Sequence, residues 1–138
     1  MTSSKLARAY LQKATVRLKV LDLLLDNEAY SDVVREAQEI VELSLKAMLR
    51  AVGIEPPKFH DVGPFLLEHA DRFPSDIKDH LRHLSKISRW LRKEREFSFY
   101  GEIYIIPIEK YDISDAQRAI EDVSGRKLMS TLNKWSKI

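Results

Sequence analysis

The chain has 138 residues, 44% of them hydrophobic and 32% charged, which suits one domain with a core of its own. The 23 Lys and Arg against 21 Asp and Glu leave a net charge of only +2, which excludes a uniformly basic nucleic-acid coat and leaves room for a local patch. With no cysteine, disulfide scaffolds, Cys-ligated zinc and thiol nucleophiles are excluded, and the four scattered glycines supply no glycine-rich phosphate loop.

The first 25 residues repeat Ala7, Leu11, Ala14, Leu18, Leu21 and Leu25 at steps of four and three, which places all six on one stripe of a helix. Ser3 or Ser4 is positioned to cap it, and it fades at Asp26 and Asn27. A second helix is expected from about Ser31 to Val52, with Gly53 as its stop. Its inner face is Val34, Ala37, Val41, Ser44, Leu45, Met48 and Val52, widened by Val33, Ile40, Ala47 and Ala51. Pro56 and Pro57 break the chain. A short third helix is expected over 62–72, with Asp61 as N-cap and Pro64 tolerated in the first turn, where its missing N–H has no intrahelical partner.

After Pro74, Ser75 is placed to cap a fourth helix over 76–96. Ile77, Leu81, Leu84, Ser88 and Leu91 form its buried stripe, and the next member of that stripe is Arg95. Arg82, Lys86, Arg89 and Lys93 form a basic face on the other side, flanked by His83 and by Trp90 as a stacking surface. Six bases and a single acid, Glu94, lie between Arg82 and Arg95, so the near-zero net charge hides a locally basic helix.

The helical period is lost over 97–113, which holds Phe97, Phe99, Tyr100, Tyr104 and Tyr111 and reads as an aromatic loop packed on the bundle. Ser114 to Gln117 forms a capping box for the last helix, whose inner side continues through Ile120, Val123, Leu128, Thr131 and Trp135. The fold class is therefore all-α: a single domain over 1–138, an antiparallel up-down bundle of about five helices with an aromatic loop before the last. No apolar run approaches the length of a signal core or a spanning helix, so a cytoplasmic protein without membrane partners is expected. Of the histidines, His80 and His83 stand three apart on one helix, and His60 and His69 stand elsewhere. None has the two-histidine spacing of a zinc-peptidase helix, so no metal and no cofactor is expected.

Two stretches, in this order and spacing, resemble the HEPN domain family. The first runs from Ala37 to Leu49, followed by Gly53 and by His60, Asp61 and Val62; the second runs from Leu91 to Glu102. Asp115, Ala116, Ala119 and Ile120 fit the family's closing helix. The resemblance implies a small helical bundle of the prokaryotic cytosol, usually a homodimer, often paired with a minimal nucleotidyltransferase as a toxin–antitoxin system. It also implies that the late helix and the loop make the dimer surface, with the two copies of Arg95 sharing a groove. Catalytic members are metal-independent ribonucleases whose motif sets a His four to six residues beyond an Arg. Here the last His is His83, so none follows Arg92 or Arg95, and Tyr100 stands beyond Arg95 instead. An unperturbed phenol, with a pKa of about 10, is a weak base at neutral pH. The reading that follows is a module that binds a nucleotide, RNA or a partner nucleotidyltransferase through Arg92, Arg95, Tyr100 and Glu102. The alternatives are a ribonuclease toxin with Arg95 and Tyr100 as catalytic candidates, and a structural dimer subunit.

Overall fold

The computed structural model describes residues 3–58, 62–100 and 111–124. Within them run five α-helices: α1 (Ser3–Asp26), α2 (Tyr30–Ala51), α3 (Val62–Glu68), α4 (Ser75–Tyr100) and α5 (Ile113–Ser124). A single 3₁₀ turn, Ala70–Arg72, follows α3. Among the described residues there is no strand. The all-α bundle read from the sequence is the fold of the chain.

The organising element is α2. It packs against α1, α3, α4 and α5, whereas the others meet fewer neighbours. Its sequence explains this, because its apolar residues form a face wider than a single stripe, opposite Arg35, Glu39, Glu42 and Lys46. Val33, Val34, Ala37, Ile40, Val41, Leu45, Ala47, Met48 and Leu49 are all buried. Gln38 and Ser44 are buried with them, and the Ser44 hydroxyl donates to the Ile40 carbonyl at 2.7 Å. The sequence pattern misses Gln38 and Leu49, which lie at the edge of this wide buried face.

On α1 the expected stripe faces the core. Ala7, Ala14 and Leu21 are buried, and Leu11, Leu18 and Leu25 pack beside them. Arg17 ties α1 to α2 by donating to Glu36 at 2.8 Å, and the carboxylate and its hydrogen bond hold the guanidinium pKa above its ordinary value.

Both ends of the α1–α2 unit stop in the same way. After α1, Ala29 N–H donates to the Leu24 carbonyl at 2.9 Å and Glu28 N–H to Leu25 at 3.0 Å. After α2, Ile54 N–H donates to Leu49 at 2.9 Å and Gly53 N–H to Arg50 at 3.0 Å. These are two Schellman closures, each needing a left-handed residue at its turn. Gly53 takes that conformation at φ +79 without a side-chain penalty, and Glu28 takes it at φ 58 despite carrying a Cβ.

Three boundaries differ from the sequence reading. The third element is α3 plus the 3₁₀ turn rather than one helix over 62–72. The fourth helix begins on the carbonyl of Pro74, which accepts from Ile77 and Lys78 N–H, so Ser75 lies inside the first turn rather than at the cap. At its other end α4 runs through Tyr100, past the expected stop at residue 96. Nothing between Glu96 and Tyr100 breaks a helix, since aromatic residues cost only tenths of a kcal/mol there, and Gly101 is the first strong breaker.

The last helix is also capped two residues earlier than expected. Asp112, not Ser114, is the cap: its carboxylate accepts from Asp115 N–H at 3.1 Å and from the Ser114 hydroxyl at 2.7 Å. Asp115 returns the bond by accepting from Asp112 N–H at 3.1 Å, which completes a reciprocal capping box. The Ser114 hydroxyl and then the Asp115 N–H hold the Asp112 carboxyl below its ordinary pKa. Ser3 and Ser4 lie at the start of α1, with their side chains outside the described residues; the cap expected at Asp61, the aromatic loop over 101–110, and the helix continuing to Trp135 lie outside them altogether.

Candidate nucleic-acid interface

The packing of α4 decides which of its faces meets solvent. Ile77, Leu81, Leu84, Ser88 and Leu91 are buried as the spacing predicts, joined by Ser85 and Ile87. Burial of that side turns Arg82, Lys86 and Arg89 outward, and all three are exposed. At 1.5 Å per residue the three cations span about 10 Å along the helix, the scale of two successive phosphate intervals. No ion pair with a described carboxylate neutralises any of them.

A fourth cation joins them from α5. The Arg118 guanidinium lies 3.9 Å from the centroid of the Trp90 ring, which itself packs against the core. The sequence reading of Trp90 as an open stacking surface is therefore corrected, because the ring is a seat for Arg118 and a joint between α4 and α5. The signal in the sequence was the Arg118–Asp122 spacing of four, which becomes an ion pair at 3.9 Å.

Partial burial pushes the Asp122 carboxyl above its ordinary pKa, while Arg118 and His83 of α4 pull it back down. A carboxyl whose folded pKa is raised takes up its proton sooner in the folded state, so its contribution to stability rises as pH falls towards the unfolded value. Asp122→Asn is accordingly expected to raise the melting temperature at neutral pH, and the gain should shrink as pH is lowered. Thermal melts across that range check this; a gain that grows on acidification would contradict it.

The other site residues read from the sequence fall near the end of α4 or beyond it. Arg92, Lys93, Arg95 and Tyr100 belong to α4, and their side chains lie outside the described residues, as does Glu102 altogether. Their helical positions are nonetheless fixed by the continuous helix. At about 100° per residue, Arg95 stands in register with Leu84 and Leu91, whereas Tyr100 follows Arg82 by 18 residues, five full turns, and shares the register of the basic ridge. Arg95 and Tyr100 are thus about 140° apart around α4. Among the described residues no three His, Asp or Glu side chains gather as a metal site requires. No described helix is long and apolar enough to cross a membrane.

A family model, the HEPN domain, matches residues 7–133, nearly the whole chain. The protein belongs to the HEPN family, whose domain is a nucleotide- and RNA-related module. No match emerges among curated proteins or among solved structures.

Proposed function

We propose that this HEPN domain binds RNA through the outer face of α4, with Arg82, Lys86 and Arg89 tracking the phosphates and Arg92, Lys93 and Tyr100 extending the track. The observation that carries this reading is the exposed ridge of cations with no described carboxylate partner. Lys and Arg that contact phosphate release condensed counterions, so such a ridge gains affinity that depends steeply on salt. The register of Tyr100 supports the same reading, since its position on α4 falls in line with the cations and an aromatic residue type suits base stacking. The 140° between Arg95 and Tyr100, and the lack of any His after His83, favour binding over cleavage by those two residues. In the cell this module would serve in a toxin–antitoxin type system as a homodimer beside a minimal nucleotidyltransferase.

Anisotropy of a labelled single-stranded RNA, titrated at several salt concentrations, tests the proposal. Each phosphate contact contributes about −0.7 to the salt slope on a single strand, so the triple variant Arg82→Gln, Lys86→Gln, Arg89→Gln should flatten the slope by about 2. Equal affinity and equal slope in the wild type and the triple variant would sink the reading. Cleavage of the RNA that disappears in Arg95→Ala would replace it with the ribonuclease alternative.

A further inference from the structure

The outward side of α1 carries a second apolar stripe that the bundle does not use. Val16 is 55% exposed, Val20 38% and Leu23 62%, and they stand at steps of four and three on one line, with exposed Ala9 a further seven residues back. An apolar line on the solvent side of a helix already packed along its inner side needs its own explanation.

The charges on α1 point to what covers it. Lys5, Arg8, Lys13, Arg17 and Lys19 occupy the first part of the helix, where there is no acid. Asp22 and Asp26 occupy the last part, where there is no base. That order opposes the helix dipole, which favours acids at the start and bases at the end, so it does not serve the stability of α1 itself. Apart from Arg17, which Glu36 holds, the exposed Arg8, Lys13, Lys19, Asp22 and Asp26 form no ion pair with a described residue. Arg8 and Asp26 lie 18 residues apart, five full turns, so both border the apolar stripe on the same side.

We propose that this face docks a second copy of the chain, α1 against α1 in antiparallel order. Across the two-fold axis Val16 and Val20 meet near the centre, and Leu23 lies over the Ala9 region of the other copy. Arg8 then faces Asp26 of the other copy at both ends, and the two helix dipoles oppose favourably. A parallel arrangement would instead set base on base and acid on acid. This surface is separate from the end of α4 and the loop after it, and it does not rest on RNA binding. One helix of 24 residues is about 36 Å long and offers a few hundred Å² per copy, below the roughly 800 Å² of a standard interface. The pairing is therefore weak, and it forms and dissolves with concentration.

Sedimentation of the full chain from low to several hundred micromolar is expected to show a weak doubling of mass with concentration, from dimer to tetramer where the chain already pairs through the end of α4 and the loop after it. Leu23→Asp should weaken it at least about tenfold. Arg8→Asp and Asp26→Arg should each weaken it, and the two together should restore it. Because the chain has no cysteine of its own, introduced ones report orientation cleanly. Val16→Cys near the axis should cross-link to itself on oxidation, and Asn27→Cys should not. A mass that does not change with concentration, an association unmoved by Leu23→Asp, or self-cross-linking at residue 27 as ready as at residue 16 would each overturn the proposal.

Discussion

Leu45→Ala is expected to lower stability by about 2–5 kcal/mol, the range for truncating a fully buried leucine. Leu45 is 0% exposed and lies within α2, the helix on which the other four converge. A cavity there has packed neighbours on several sides, and relaxation towards one neighbour draws it away from another. At roughly 2 cal/mol/K of unfolding entropy per residue, the loss corresponds to a fall of about 7–17 °C in melting temperature. Leu23→Ala on the outside of α1 is the natural comparison, because the same truncation at 62% exposure removes little buried surface. Denaturant titration of both variants decides the matter. Equal losses at the two positions would mean that α2 is not the centre of the fold.

Gly63→Ala is the second large effect, and here the sign itself is informative. In a helix interior, alanine normally gains about 1 kcal/mol over glycine. Gly63 sits in α3 where that helix crosses α4, and a Cβ built there would meet the Ser85 hydroxyl oxygen at 2.7 Å, the Ser85 Cα at 3.2 Å and the Ser85 carbonyl oxygen at 3.3 Å. The hydroxyl can turn away, but the two backbone atoms belong to α4 and move only with it. Overpacking of this kind costs about 1–3 kcal/mol, enough to exceed the propensity gain. The added substitution Ser85→Ala should recover part of the loss, because it removes the closest contact and leaves the backbone contacts in place. If Gly63→Ala melts at or above the wild type, the close crossing of α3 and α4 is not a constraint.

Periodicity made the helices legible, since one-sided burial writes itself into the spacing of α1 and α4. On α2 the inner face was legible too, but burial runs past its edge, where Gln38 and Leu49 went unread. Boundaries failed where two chemistries competed for the same role. Ser114 offered a good cap, but the Asp112 carboxylate accepts two bonds and its N–H donates a third to the Asp115 carboxylate. The basic ridge was legible because it depends on one helix alone. The seat of Arg118 on Trp90 was not, because it joins residues 28 positions apart through the placement of α5 on α2 and α1.

That placement has a kinetic side. The core contacts of α5 come largely from Ala116, Ala119 and Val123, small side chains that bury little area each. Docking α5 on α2 closes a loop of roughly sixty residues, whereas the α1–α2 hairpin closes through a turn of three. The hairpin thus closes at the lower entropic cost, and α5 is expected to dock after it and to open locally before it does. Each detachment would lift Arg118 from Trp90 and bare one flank of the cationic helix. The number of cations facing a ligand is then set partly by local unfolding, at a rate that amide exchange in α5 would report.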